Sequence, residues 1–185
     1  MLKTIILKLL VKYKYRNTKL KNEGQRCQYK FLNSNFSYAN NISLKEDVHI
    51  GKGADFDGAG GISIGNGVIF APDVCIYSRT HNFDSDDLQA LPFDNVVLTS
   101  KVIIKDYVWV GRGAIILPGV IVGKGVIIGA GAIVSKNIPD YAIVVGNPAK
   151  VVKYRNKEKF EELLSLSDPF VYTKLGHQKI LREKS

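Results

Sequence analysis

The sequence is poor in the residues that most often hold metals or form cross-links. Among 185 residues there are two cysteines, three histidines, one methionine and one tryptophan. Cys27 and Cys75 form neither a close pair nor a metal-ligand spacing, so we expect two buried or incidental thiols in a reducing compartment. An uncharged apolar run of about 18 residues is also missing, which excludes a membrane-spanning helix as an interpretation of the sequence.

Acidic residues are nearly missing from the N-terminal part of the chain. Residues 1–30 carry nine lysines and arginines against the single acid Glu23, whereas the other 155 residues carry 17 bases and 16 acids. The net charge of +9 therefore belongs to one terminal segment. A nucleic-acid-binding groove across the fold is not indicated.

That basic segment begins MLKTIILKLLVKYKYR, with apolar residues at the spacing of an amphipathic helix. Lys8 and Lys12 interrupt its apolar residues and no small-residue cleavage site follows, so a secretory signal is disfavoured and we expect a cytoplasmic protein. The helix could rest on anionic lipid at the inner face of the membrane, through residues 1–21. A helix packed on the protein's own body or on a neighbouring subunit is the alternative.

A repeat of six residues dominates the rest of the chain. From residue 104 an aliphatic residue returns at every sixth position, and a second small apolar residue stands four places after each of the first five. The same period runs from Leu44 to Ile62, slips by two residues, and resumes from Ile64 to Ile76. The period-six apolar residues are Leu44, Ile50, Phe56, Ile62; Ile64, Phe70, Ile76; and Ile104, Val110, Ile116, Val122, Ile128, Val134.

This period predicts a solenoid of short strands. The two apolar positions of each block are an even number of residues apart, so on a strand they face the same side, and the glycines that follow suit tight corners. A helix does not tolerate a glycine in nearly every turn. Three blocks form one coil, so we expect a prism with three flat faces, whose hand the spacing alone leaves open.

The segment VWVGRGAIILPGVIVGKGVIIGAGAIVSKNIPDYAIVVGNPAKVVK, residues 108–153, resembles the hexapeptide-repeat acyltransferases, in particular the galactoside and maltose acetyltransferase branch. The T-H-N-aromatic-D segment at 80–84 is similar to one in polysaccharide O-acetyltransferases. The resemblance implies a left-handed parallel β-helix over 44–153 with an active-site loop at 77–101. Residues 1–43 then form a basic lead-in, and 154–185 a C-terminal helix and tail.

The resemblance also implies a homotrimer in which acetyl-CoA lies between neighbouring prisms. By motif position His81 is the catalytic base, and Trp109 borders the active site. Lys150 and Lys153 stand where that branch prefers arginine, which keeps the charge but loses bidentate phosphate binding. The positions implied to bind the cofactor are Trp109, Arg112, Ala130, Ser135, Lys136, Lys150 and Lys153.

The loop itself breaks the repeat between Ile76 and Val102. Insertions at a solenoid corner are tolerated, because neighbouring coils still stack, and they are places where binding surfaces are built. A neutral imidazole can remove the proton of a sugar hydroxyl as it attacks a thioester, typically worth about 10²–10⁴-fold in rate. The groups considered for orienting His81 or binding the acceptor are Asp57, Asp73, Asn82 and Asp84, with a backbone carbonyl as the alternative.

The predicted function is therefore acetyl-CoA-dependent O-acetylation of a sugar hydroxyl, within a surface polysaccharide or its precursor. The alternatives are an N-acetyltransferase on an amino sugar, disfavoured because 43 leading residues leave no room for a nucleotide-binding domain, and a non-catalytic β-helix.

We expect no metal, since three scattered histidines do not suit the zinc site of γ-class carbonic anhydrases. His49 is expected to be exposed and His177 incidental. Phe160, Leu163 and Leu164 predict a short helix that ends before Pro169 and caps the open end of the prism.

Overall fold

The computed structural model describes residues 2–166 and 169–171, and shows a three-faced stack of short strands between two helices. The helices are α1 (Leu2–Lys14) and α2 (Lys157–Leu164), with a 3₁₀ turn at Ala39–Asn41. Sheet A contains β1 (Asn22–Glu23), β3 (Ile42–Leu44), β6 (Ile62–Ile64), β11 (Val102–Ile104) and β14 (Ile121–Val122). Sheet B contains β4 (His49–Ile50), β7 (Ile69–Phe70), β12 (Trp109–Val110), β15 (Ile127–Ile128), β17 (Ala142–Val145) and β18 (Lys150–Tyr154). Sheet C contains β2 (Asn35–Ser37), β5 (Asp55–Asp57), β8 (Cys75–Tyr77), β13 (Ile115–Ile116) and β16 (Ile133–Val134). A separate hairpin joins β9 (Arg79–His81) to β10 (Val97–Thr99).

The three sheets are parallel, apart from the antiparallel β17–β18 pair that ends sheet B. The chain visits sheets A, B and C in turn and makes about six coils, so the predicted parallel solenoid is confirmed. The coil-to-coil registers show the expected repeat, since Ile104 pairs with Val122 and Ile116 with Val134, 18 residues apart.

The core is a column of aliphatic side chains inside the prism. The period-six residues from Ile104 to Val134 are at most 1% exposed, and the second residue of each block is at most 2% exposed. Burial of each such Val or Ile side chain stabilises the fold by about 1.5–3 kcal/mol relative to leaving the side chain exposed. Because the stack forms three flat faces, the outward residues of all three sheets lie in straight columns along the prism.

The two-residue slip in the period is a longer corner. Coils of the first half advance by 20 residues, as in the pairing of Ile42 with Ile62. The extra residues lie at 58–61, where Gly61 has a φ of +93° and Gly60 donates to the buried Ser78 hydroxyl. A Cβ on Gly60 would lie 2.4 Å from the Ser78 carbonyl oxygen, so the corner requires glycine.

Stacking begins before the period-six pattern does. β1, a single bridge from Gln28 to His49, and β2 form a coil on top of the coil that starts at Ile42. Its interior is aromatic, because Tyr29 and Phe36 pack edge-to-face on one another and Phe36 packs on Phe56. These aromatic residues fill the same column as the core residues of the later coils, but they are seven residues apart, which explains why the period was invisible before residue 44.

The N-terminal segment covers this first coil. Tyr15 is 8% exposed, packs against Tyr29 and donates its hydroxyl hydrogen bond to the Phe31 carbonyl at 2.8 Å. Lys14 donates to the carbonyls of Leu32 and Ser34. The predicted N-terminal helix is confirmed, and none of the helices in the described ranges is long and apolar enough to cross a membrane.

The predicted C-terminal helix is also present, but its predicted position at the open end was wrong. α2 begins at the Asn156 cap, whose side chain accepts from the Lys159 amide, and lies along the flank of the prism. Phe160 packs on the Tyr141 ring and above Gly125, whose φ of +65° and missing Cβ leave room for the aromatic ring. Phe170 lies on the same flank, beside His49 and Gly67.

Candidate active site

The loop that interrupts the repeat leaves and rejoins the prism at one corner, between sheets C and A. Ser78 ends the regular path and Ser100 resumes it, and the Ser100 amide donates to the Ser78 carbonyl at 2.8 Å. Ser78 itself is buried and donates its hydroxyl to the Asp57 carbonyl at 2.6 Å. The loop is therefore an insertion whose two ends are fastened together, as a solenoid tolerates.

Inside the loop, a buried polar pair fixes the hairpin. The Asn82 amide donates from Nδ2 to the Asp94 carboxylate at 2.7 Å, and the other Asp94 oxygen accepts from the Val96 amide at 2.8 Å. Asn82 and Asp94 are 4% and 5% exposed. Asn82 was predicted to orient His81 or bind the acceptor, but in the structure its side chain holds the loop closed.

His81 ends β9, directly before this pair, and its side chain is exposed. Its imidazole stacks on the Phe93 ring, with centroids 3.9 Å apart and planes at 22°. Neither ring nitrogen has a hydrogen-bond partner within residues 2–166 and 169–171. The ring plane is thus set by an aromatic neighbour, while both nitrogens remain available to ligands.

His81 opens onto a pocket of about 190 Å³ at the corner between sheets C and A. The pocket is lined by Asp57, Arg79, Thr80, His81 and Val97. Because Arg79 and His81 are two residues apart on a strand, their side chains share a face of β9. The pocket therefore combines an imidazole, a guanidinium and a carboxylate.

Arg79 is a site residue that the sequence analysis did not single out. Its Nε donates to the Asp57 carboxylate at 2.7 Å and one terminal nitrogen donates to the Tyr38 hydroxyl at 3.2 Å. The hydrogen bond and charge of Asp57 raise the pKa of the Arg79 guanidinium above its ordinary value, so it is fully charged. Of its five N–H groups, three have no partner in the described part of the chain. The strand alternation around His81 was the available signal.

The aspartates predicted near His81 are dispersed. Asp57 lines the same pocket, but its carboxylate is bound to Arg79 and to the Ala59 amide. Asp73 lies at the other edge of sheet C, where it pairs with Arg112 at 3.5 Å. Asp84 is exposed in the loop. The structure thus brings Asp57 to the pocket and leaves Asp73 and Asp84 away from it.

The other histidines lie apart from this pocket. His49 was expected to be exposed, but it is half-buried against Phe170, and burial lowers the pKa of its imidazole while Asp47 acts in the opposite sense. His177 lies outside the described residues. In the parts of the chain that the structure describes, no three His, Cys, Asp or Glu side chains are arranged to hold a metal ion, and both thiols are unpaired and partly buried.

Trp109 lies on the opposite side of the prism from the loop. It faces outward from β12, as its parity predicts, between Ile69 and Ile127, and is 49% exposed. With the C-terminal segment it lines a groove of about 320 Å³, whose other walls include Phe160 and Phe170. Trp109 and His81 therefore do not share a pocket within one chain.

The remaining predicted cofactor residues fall on two edges of the prism. Arg112 and Ala130 occupy equivalent corners of successive coils between sheets B and C, where the Gly131 amide donates to the Arg112 carbonyl. Lys150 and Lys153 lie on β18, where they pair with Val145 and Ile143 of sheet B. Ser135 and Lys136 instead follow β16, at the corner between sheets C and A that also carries the His81 loop.

The fold and repeat agree with known proteins. A family model described as bacterial transferase hexapeptide (six repeats) matches residues 101–136. The chain is 38% identical over 125 residues to a galactoside O-acetyltransferase of Lactococcus lactis, a match that covers 67% of this chain and 53% of the relative. Residues 101–136 therefore match the hexapeptide-repeat model, and the chain is similar to a sugar O-acetyltransferase, as its motifs indicated.

Two solved structures extend this similarity to the fold. A maltose O-acetyltransferase from Clostridium difficile matches with a TM-score of 0.66 and 29% identity, over 82% of this chain and 86% of that chain. A hexapeptide-repeat acetyltransferase from Vibrio cholerae, solved with acetyl coenzyme A, matches with a TM-score of 0.69 over 80% of this chain and 82% of that chain. At 21% identity the second likeness concerns the fold alone. The chain spans 53–60% of the length of the first curated relatives it matches.

Proposed function

We propose that this protein is an acetyl-CoA-dependent O-acetyltransferase that acts on a sugar hydroxyl, with His81 as general base. The observation that carries the proposal is the His81 imidazole, stacked on Phe93 and open to a polar pocket, in an insertion of a hexapeptide-repeat prism. The similarity to galactoside and maltose O-acetyltransferases supports the reaction class.

In the proposed reaction a neutral His81 nitrogen accepts the proton of the acceptor hydroxyl as its oxygen attacks the thioester carbonyl carbon. The tetrahedral intermediate collapses, the carbon–sulfur bond breaks, and the imidazolium returns the proton to the departing thiolate. Atoms and charge balance without a metal or a covalent enzyme intermediate. The stack on Phe93 contributes by restricting the ring to one plane before the acceptor binds.

We assign acceptor binding to the other groups of the His81 pocket. Arg79 is held in place by Asp57 and Tyr38, while three of its N–H groups lack a partner in the described ranges and can donate to sugar oxygens. Donors that are fixed before binding lose little side-chain entropy on contact. Replacing Arg79 with Met should therefore raise the KM for the acceptor more than it lowers kcat.

Acetyl-CoA is the proposed acetyl donor, and a homotrimer is the proposed assembly. The His81 loop with Ser135 and Lys136 lies on one edge of the prism, whereas Trp109, Arg112, Ala130, Lys150 and Lys153 lie across sheet C or on sheet B. A cyclic assembly joins two different edges of neighbouring subunits. In the trimer one subunit's His81 edge would meet the other subunit's Trp109 face, with lysines near the cofactor phosphates.

The proposed acceptor is a surface polysaccharide or its lipid-linked precursor. The latter would place the enzyme at the inner face of the membrane, with residues 1–21 in peripheral contact. The relatives named as galactoside and maltose O-acetyltransferases support a sugar as the acceptor.

The test is acetyl-CoA turnover, followed as release of free thiol, against a panel of sugars and oligosaccharides. We expect His81→Ala to lower kcat by about 10²–10⁴-fold. His49→Asn is the matched control, since His49 lies outside the pocket, and its turnover should match the unaltered protein. Undiminished turnover in His81→Ala would remove His81 as the base, and a protein that binds no acetyl-CoA would favour a non-catalytic role.

A further inference from the structure

The helix α1 presents an apolar face that no described part of the chain covers. The side of α1 that carries Val11 faces the prism, and Val11 is partly buried against the core. The opposite side carries large apolar side chains that are 48–64% exposed: Ile5, Ile6, Leu9, Leu10 and Tyr13. The helix therefore contacts the prism through its Val11 side and leaves the opposite apolar side uncovered by the described residues.

The lysines of α1 flank this apolar stripe on both sides. At about 100° per residue, the stripe spans roughly 140° of the helix circumference. Lys8 and Lys12 lie along one edge, and Lys14 lies beyond the other, where it reaches the carbonyls of the first coil. A stripe bordered by lysines can sink into a bilayer surface while the ammonium groups stay at the level of the headgroups.

The charge of the surroundings has one sign. Residues 1–21 contain seven lysines and arginines and no acid, and the first turn of α1 carries no acidic residue. Arg16 stacks over the Tyr13 ring with 4.1 Å to the centroid, next to the stripe. The stripe is therefore the centre of a basic surface and complements a negatively charged partner.

We propose that α1 lies in the interface of an anionic membrane, with its apolar stripe inserted and its lysines at the headgroups. A second copy of this chain fits less well, because pairing two such stripes brings lysines of like charge together at both edges. The proposal goes beyond the acetyltransferase activity and does not depend on it. In any cyclic assembly the copies of α1 face the same side, so several helices would engage one membrane together.

The proposal is tested by co-sedimentation of the full chain with phosphatidylcholine vesicles, with and without phosphatidylglycerol. We expect binding to the mixed vesicles that weakens with salt, and little binding to phosphatidylcholine alone. Lys8→Gln with Lys12→Gln should weaken binding about 30-fold, from about fivefold per lysine. Ile6→Ser with Leu10→Ser should weaken it by about tenfold or more per residue.

Matched controls carry the same changes elsewhere on the surface. Lys52→Gln with Lys101→Gln removes two lysines away from α1, and Leu91→Ser removes an exposed apolar side chain from the loop. Circular dichroism should show that all variants remain folded. Equal binding to both vesicle types, or unchanged binding in the α1 variants, would overturn the proposal. The proposal would also be overturned if the full chain did not bind vesicles and formed an oligomer that Ile6→Ser with Leu10→Ser dissociates. In that case α1 would bind a second copy of the chain.

Discussion

Large apolar side chains are buried in the coils but exposed in the inserted loop. In the coils Phe56 is fully buried between the rings of Phe36 and Phe70. In the loop Phe83 is 62% exposed and Leu91 is 86% exposed. Apolar residues of the coils therefore stabilise the fold, whereas those of the loop are available to contact an acceptor or a neighbouring subunit.

The coils supply the stability of the fold, whereas the loop carries the residues of the candidate site. Each coil is held by its two neighbours through parallel hydrogen bonds and a continuous core, so it tolerates an insertion at one corner. The loop depends on a few polar contacts, of which the Asn82–Asp94 pair is buried. Changes in the two regions should accordingly be distinguishable by separate measurements.

The largest effect is expected from Phe56→Ala. Removing this ring opens a cavity within the aromatic column and should lower the free energy of unfolding by about 3–5 kcal/mol. Denaturant unfolding measures the loss. Phe83→Ala is the control, and its unfolding free energy should stay within about 0.5 kcal/mol of the unaltered protein. Similar losses in both variants would contradict the separation of core and loop.

The next effect is expected from Asp94→Ala, which leaves the Asn82 amide and the Val96 N–H without their acceptor. A buried donor without a partner costs about 1–3 kcal/mol, and here the cost falls on the loop. We expect faster hydrogen exchange at Val96 and a turnover about 10²-fold lower, because His81 is displaced. A denaturation midpoint that falls as far as in Phe56→Ala would show that the loop is part of the global fold.

A smaller effect is expected from Phe93→Ala, which removes the ring stacked on His81 and leaves the coils untouched. Loss of an aromatic stack is worth about 0.5–1.5 kcal/mol, so kcat should fall by roughly 2- to 13-fold. Phe93→Tyr keeps the ring and should restore kcat. A positioning role predicts lower kcat with nearly unchanged KM for acetyl-CoA, and a matching rise in that KM would contradict it.

The smallest effect is expected from Glu161→Gln on the flank of the prism. Hydrogen bonds from Tyr141 and then Lys124 hold the pKa of Glu161 below its ordinary value of 4.5. The stabilisation is present above 4.5 and is lost as the pH falls through the lowered pKa. In Glu161→Gln the melting temperature should therefore fall less as the pH is lowered than in the unaltered protein. Glu162→Gln is the control, and its melting temperature should fall as much as that of the unaltered protein.

The coils could be predicted from the sequence because the residues that recur with period six are the residues that pack in the core. Every sixth residue points into the core, so the apolar series from Leu44 to Val134 marks the prism without knowledge of which strands pair. The first coil could not be found in this way, because Tyr29 and Phe36 fill the column with irregular spacing. The position of α2 depended on the space above Gly125, which only the assembled corner shows.

The site was predictable in part. The loss of period located the loop, and the Thr80–Asp84 segment singled out His81. The partners of Asp57 and Asp73 could not be predicted, because each pairs with an arginine that the corner geometry brings near, Arg79 and Arg112 respectively. The role of Phe93 was equally hidden, since it lies twelve residues after His81, within the connection between β9 and β10.

The covering of the first coil by Tyr15 and Lys14 also bears on self-assembly. A stack of parallel strands ends in unpaired backbone groups, which can template the addition of further chains. Tyr15 and Lys14 bind the carbonyls of Phe31, Leu32 and Ser34 along this terminal edge. The same short segment that carries α1 therefore covers part of the end of the stack at which a further chain could add, and we expect removal of residues 1–21 to favour end-to-end association.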